Sequence, residues 1–310
     1  MKRLIPFIAS IVIVGIMVAY VTTQDDLIAA LGNVSLLQIA LLLLLSFAGL
    51  LAQTEQFRAA LTVTDTEMGM VEATGLTAVN TMANYYIPAG GGPVVRGVYM
   101  NAVHDMAASA YVVLTVATVA TGLGVAAIAG LAASIALSFT DADVGWEVFA
   151  AFAGVVVLLG AAMLFALAGG RIFARFDRIS RFVGQLAVVV ALWRSKPRAA
   201  VLLVVWTTVV LVTQATRLFV AFDAVGAPVD VLEMVLIGSL VSISFVISLT
   251  PGNLGIKEGV TVVAAAIVGV EANVALIASL VDRGAALIVT FIIGLIALPF
   301  LVKRAAATKS

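Results

Sequence analysis

The sequence predicts an all-α polytopic membrane protein, and three observations carry that expectation. Of its 310 residues 63% are hydrophobic and only 11% charged, with a mean hydropathy of +1.19. Soluble chains are roughly half apolar and a quarter charged. The apolar residues fall into uncharged runs of the length that a helix needs to cross a bilayer, about 20 residues. Only helices satisfy their backbone polar groups inside such single segments.

Taken in order, the uncharged runs cover residues 4–24, 27–54, 73–95, 106–140, 148–170, 199–216, 234–256 and 284–302. The 106–140 run is 35 residues long and carries Gly122, Gly124 and Gly130, so it predicts two helices with a turn among the glycines. Residues 259–302 are interrupted only by Glu271 and Asp282-Arg283 and predict two more. The count is eight to ten crossings in one integral membrane domain spanning residues 1–310. Two of the segments are interrupted or re-entrant.

Charge placement sets an orientation. Lys2, Arg3, Lys303, Arg304, Lys309 and the loop cations Arg171, Arg175, Arg178, Arg181, Arg194, Lys196 and Arg198 make up twelve of the 17 basic residues. Cytoplasmic loops are enriched in Lys and Arg, so both termini and the 171–198 loop are expected inside, at the cell membrane. The opposite loops hold Asp25, Asp26, Asp141, Asp143, Glu147, Asp223, Asp230 and Glu233 without a cation. A positive start before an apolar run also fits a cleaved signal peptide, but residues 4–20 lack a clear small-x-small site. In the loop, Arg171, Arg175 and Arg178 alternate with Ile172, Phe173, Phe176 and Ile179 as in a helix lying in the interface.

Composition also excludes. Seventeen acidic residues balance the basic ones, which gives no reason to expect nucleic acid as a partner. There is no cysteine and a single histidine, His104, so thiolate chemistry and a multi-histidine metal centre are ruled out. No nucleotide-binding G-x-x-x-x-G-K-[ST] motif occurs, and no cofactor is expected.

Two broken segments carry the most information. In the first motif, 77–105, Thr77, Asn80 and Asn84 share a helix face, and Pro88 and Pro93 bracket Ala89, Gly90, Gly91 and Gly92. That combination ends one helix near Ile87 and starts another near Pro93. The second motif, 244–283, has Ser244 and Ser248 one turn apart, then Pro251, Gly252, Asn253 and Gly255, with a new helix from about Ile256. Both breaks are followed by a cation, Arg96 or Lys257, and they stand about 163 residues apart. Paired interrupted helices in two halves point to an inverted repeat around a midplane site.

A glycine-rich turn feeding a helix exposes free N–H groups and the positive end of the helix dipole, which suits an anion. Charged groups are costly inside the bilayer and persist when paired or when they serve a pathway. Arg96, Lys257 and Glu258 are therefore candidates, with Arg96 and Lys257 expected to serve one anionic headgroup; snorkelling to the headgroup region is the plain alternative. Snorkelling is an equally good reading of Arg217. Asp282-Arg283 reads either as a tight turn ending at Gly284 or as a buried arginine pairing with Glu258 or Glu271. His104 and Asp105 read as an interfacial loop rather than a proton relay. Adjacent side chains diverge, so Lys257 is a poor partner for Glu258, and Arg283 is the expected one.

Asn84, Pro88, Gly92 and Arg96, then Pro251-Gly252, Gly255 and Glu258, and finally Arg283 resemble the lysylphosphatidylglycerol synthase transmembrane-region family, also described as flippase-like (UPF0104). The resemblance runs from about residue 36 to 302 and is strongest in the second motif. It implies a polytopic helical domain that moves lipids across a bilayer, alone or fused to an aminoacyl- or glycosyl-transferring domain. The first motif departs from the family: a basic residue followed by Gly-Glu is replaced by Gly90 and then Gly92-Pro93. The missing acid puts the identity of the headgroup in doubt.

Three functions compete. The first is a non-enzymatic lipid transporter for a phosphate-bearing phospholipid or polyprenyl-phosphate carrier, bound by Asn80, Asn84, Pro88, Gly90–Gly92, Arg96, Pro251, Gly252, Asn253, Gly255, Lys257, Glu258 and Arg283. The second is a non-transporting partner of a separate glycosyltransferase or lipid-modifying enzyme. The third, an intramembrane enzyme on lipid phosphates, needs a carboxylate cluster or a positioned base, and no Asp-x-x-x-Asp pair lies within a helix.

Overall fold

The computed structural model describes residues 34–87, 90–140, 144–167, 188–191, 193–245 and 250–308. The expected helix at 4–24, the interfacial helix at 171–181, Asp25, Asp26, Asp141, Asp143, Pro88, Ser248 and Lys309 lie outside them. Among the described residues every regular element is helical: α1 Leu36–Leu61, α2 Met70–Tyr86, α3 Gly91–His104, α4 Ala108–Leu137, α5 Trp146–Leu167, α6 Pro197–Ala224, α7 Val231–Ser244, α8 Ile256–Ile267 and α9 Ala272–Ala307, with short 3-10 turns at Thr62–Thr64 and Pro251–Asn253. Among these residues α1, α4, α5, α6 and α9 are long and apolar enough to cross a membrane. Their outward faces are apolar, with Leu36, Val157 and Ile296 each more than 60% exposed, as suits a surface whose solvent is lipid.

One expectation is corrected and one open alternative is decided. Residues 106–140 form one helix, α4, 30 residues long, with no turn at the glycines. Gly130 is there because the ring of Phe152 on α5 stands where a side chain would be, its nearest atoms 2.2 Å from an added Cβ. Of the two readings of Asp282-Arg283 the buried, paired arginine holds and the turn does not: both residues lie inside the 36-residue α9, and the break between the last two helices falls at Val268–Glu271.

The broken segments are re-entrant hairpins. With 17 and 14 residues, α2 and α3 reach about 25 and 21 Å, short of a hydrocarbon core about 30 Å thick. They run antiparallel. At the open end Glu72 of α2 accepts a 2.7 Å hydrogen bond from the Tyr99 hydroxyl and lies 2.9 Å from Nε2 of His104, both on α3. At the tip Asn84 accepts from the Gly92 N–H at 2.8 Å. The second hairpin, α7 and α8, is shorter still, 14 and 12 residues. Leu236 of α7 and Ile267 and Val268 at the end of α8 belong to one apolar cluster, and Asn253 bonds the Ser244 carbonyl at the tip.

The hairpins open toward opposite ends of the bundle. The most extensive packing is α1 against α6, and the two are antiparallel: Gln38 donates to Asp223 at one end (3.0 Å) and Gln56 to Thr207 toward the other (2.8 Å). The other large interfaces are α2 with α9 and α4 with α7. Exchanging α1–α4 for α6–α9 maps this pattern onto itself, as a two-fold relation between inverted halves requires. Each hairpin has its own apolar core. Phe57, Leu76, Tyr99, Met100 and Leu301 surround the first; Leu218, Phe222, Ile237, Ala265 and Ile277 surround the second.

The first hairpin opens at a basic end, where Lys196 pairs with Asp65 and Arg304 with Glu72. The second opens at the end that carries Asp223, Asp230, Glu233 and Glu271, where no Lys or Arg stands among the described residues. The flank of the 171–198 loop and the C-terminal end of α9 thus share one end of the molecule.

Candidate functional site

The two hairpin tips meet in the middle of the bundle. A Cβ added at Gly252 would stand 2.2 Å from the ring of Tyr85, the next-to-last residue of α2, so glycine is required for close approach as well as for its φ of +60°, a region that penalises other residues. Gly92 is held as closely inside the first tip, its added Cβ 2.2 Å from the Asn80 carbonyl oxygen.

Charge gathers behind the second tip. Asp282, fully buried on α9, accepts from Lys257 at 2.5 Å and is gripped by the Arg217 guanidinium, whose Nε and Nη2 reach the two carboxylate oxygens. The next residue, Arg283, pairs with Glu258 and donates to the Gly252 and Asn253 carbonyls at 2.9 and 3.3 Å. Glu258 also accepts from the Gly255 N–H at 2.8 Å. One arginine and one glutamate thereby close the tip: the guanidinium takes its free carbonyls, the carboxylate its free N–H. Buried charges survive when paired and hydrogen-bonded in this way.

In front of this cluster lies a cavity of about 420 Å³ between α1, α2, α4 and α6 to α9. Its wall holds Arg217, Lys257 and Arg283, together with Gln53, Gln56, Asn80, Asn84 and Gln214, while Asp282 and Glu258 stand behind the cations. Three cations against two carboxylates leave one net positive charge. Two donors on the wall, the Gln214 amide nitrogen and the Ser46 hydroxyl, are buried without a hydrogen-bond partner among the described residues. Chemically the cavity is a box of donors in which the positive groups face inward, suited to a ligand rich in anionic oxygen.

Of the residues expected from the sequence, Asn80, Asn84, Gly252, Lys257 and Arg283 line the cavity. Pro251, Asn253, Gly255 and Glu258 build the second tip. Gly90, Gly91 and Gly92 build the first, where the Gly92 N–H is already taken by Asn84. The expected pairing of Glu258 with Arg283 is present. The expected sharing of one site by Arg96 and Lys257 is not: Arg96 points to the ring of Phe57 on α1, 4.2 Å from its centroid, outside the cavity wall, because the hairpins enter from opposite ends. Arg217 does not snorkel, since Asp282 holds it. Arg217, Asp282 and Gln214 stand outside the expected site residues. The signal for Asp282 is an aspartate beside an arginine in an apolar run, which reads equally as a tight turn or as a buried pair.

The architecture is that of a multi-pass α-helical membrane protein with two opposed re-entrant hairpins around a polar, cation-lined cavity. The chain belongs to the family described as the lysylphosphatidylglycerol synthase TM region, which matches residues 7–294. It is also similar to a UPF0104 membrane protein of Methanothermobacter thermautotrophicus (strain Delta H), 37% identical over 81 residues. That match covers 26% of this chain and 23% of the relative, so the alignment spans under a quarter of the relative's length.

Proposed function

We propose that this chain is a membrane lipid transporter of the flippase-like kind, moving a lipid with an anionic phosphate headgroup, on a phospholipid or a polyprenyl carrier, across the cell membrane. The observation that carries the reading is the central cavity. Its cations face the cavity with their carboxylates behind them, and unpartnered donors stand on the same wall. A phosphate there meets Arg217, Lys257 and Arg283 while its tails stay in lipid. Rocking of the two inverted halves gives access from each side in turn. The basic end is assigned to the cytoplasm by the positive-inside rule, and the chain acts without chemistry of its own on the lipid.

Proteoliposomes carrying fluorescent phospholipid or polyprenyl-phosphate analogues, with a quencher confined outside, test this. Wild-type protein should expose inner-leaflet label to the quencher, and Lys257→Gln should slow it by an order of magnitude, on the scale of a lost charged hydrogen bond, about 1.5–3 kcal/mol. Quenching no faster than in protein-free vesicles, for every analogue, would eliminate transport and leave the role of membrane partner to a separate lipid-modifying enzyme or glycosyltransferase.

A further inference from the structure

Arg96 is the charge that the central cavity does not use. It lies on α3, in a hairpin otherwise without cations among the described residues, and no carboxylate among those residues pairs with it. Among the described residues its Nε is buried with no hydrogen-bond partner; the guanidinium lies over the face of Phe57, with Tyr111 near enough to act on it electrostatically. A cation–π contact offsets only part of what holding an arginine inside a bilayer costs. Among the described residues no hydrogen bond engages the five donors of the guanidinium.

Its position gives those donors a use. Arg217 of the central cluster lies beside Gly49 of α1, its Nη1 3.9 Å from an added Cβ there, whereas Arg96 lies over Phe57 of the same helix. Eight residues of helix separate the two levels by about 12 Å, and Arg96 is on the side of the basic end. Between them the cavity wall carries Gln53 and Gln56 on α1 and Asn80 and Asn84 on α2, neutral hydrogen-bonding groups. Phe57 adjoins Gln56 in sequence, and the antiparallel register that joins Glu72 to His104 and Asn84 to Gly92 sets Arg96 opposite Asn80.

We infer that Arg96 is a second binding station for a lipid phosphate, nearer the basic end than the Arg217–Lys257–Arg283 cluster, and that the polar side chains between them form the path from one to the other. The inference rests on the transport reading for its direction, but the station itself is a binding site and can be tested as one. Phe57 holds the guanidinium in place until an anion takes it.

The full chain in detergent is titrated with phosphatidic acid and the bound equivalents are counted by native mass spectrometry, with phosphatidylcholine as the comparison lipid. Wild-type protein should take up two phosphatidic acids that phosphatidylcholine does not replace. Arg96→Gln should weaken one of them about tenfold, as loss of one charged hydrogen bond implies, and Arg96→Lys should keep it. Lys257→Gln should weaken the other. One equivalent in the wild type, two undiminished in Arg96→Gln, or equal weakening in Arg96→Lys and Arg96→Gln would overturn the second station. Two equivalents with the expected losses, in a protein that moves no lipid in proteoliposomes, would remove the transport reading and leave the station standing.

Discussion

Tyr85 fills the space that a side chain at Gly252 would occupy, so the tip of one hairpin is shaped to the tip of the other. Gly252→Ala should destabilise the protein twice over. The left-handed backbone costs an alanine about 1–2 kcal/mol, and the new methyl group displaces an aromatic ring. Adding Tyr85→Ala should recover the steric part alone. Thermal unfolding in detergent reads both; full recovery in the double variant would show that the backbone is unstrained.

Glu258 and Arg283 close the second tip together. Removing one member strands the other in a dry interior, a loss of about 3–5 kcal/mol. Glu258→Gln and Arg283→Gln should each destabilise, and the double variant should lose less than their sum. Strictly additive losses in a double-mutant cycle would contradict the pair.

Asp282 neutralises two cations at once. Asp282→Asn leaves Arg217 and Lys257 facing each other across a neutral amide, and should be among the most destabilising single changes in α9. Lys257→Met alone leaves Asp282 its arginine and should cost less. The order of the two apparent Tm values tests this.

At the base of the first hairpin the buried Glu72 collects the Tyr99 hydroxyl, His104 and Arg304. The contributions differ with exposure: the Arg304 side chain is 46% exposed, that of His104 12%. Arg304→Ala should therefore cost roughly 0–1 kcal/mol. Glu72→Ala, which leaves a buried hydroxyl unpaired and opens a cavity, should cost several times as much. Equal losses would show that Arg304 is the main anchor.

The two ends can be told apart chemically, because the chain has no cysteine. In inverted membrane vesicles an impermeant maleimide should label a cysteine placed at Ser195 and spare one at Val231; in intact cells the pattern should reverse. Labelling of both from one side would contradict the opposed hairpins.

How far the sequence could be read depended on whether a signal was local. The two breaks were visible because proline and glycine act on their own neighbours, and the Glu258–Arg283 pair because each residue lay in an apolar run with few candidate partners. The single helix α4 was not visible: Gly122, Gly124 and Gly130 look the same whether they turn the chain or admit a ring such as Phe152. Asp282-Arg283 fits a turn and a buried pair equally well along the chain, because the cations that offset Asp282 come from two other helices. Arg96 and Lys257 looked equivalent along the chain; only the direction in which each hairpin enters separates them.

The scaffold repeats, but its charge does not. Arg217, Lys257, Glu258, Asp282 and Arg283 all belong to the second half, and when all five are ionised they leave one positive charge facing the cavity. A monoanion seated there cancels it. If the cluster moves relative to the field, the empty protein carries a charge through the membrane potential and the loaded one does not. At about 2.3 kcal/mol per charge per 100 mV, voltage would then bias the unloaded return of the proposed transporter and leave its loaded step untouched, making the resting membrane itself a source of direction.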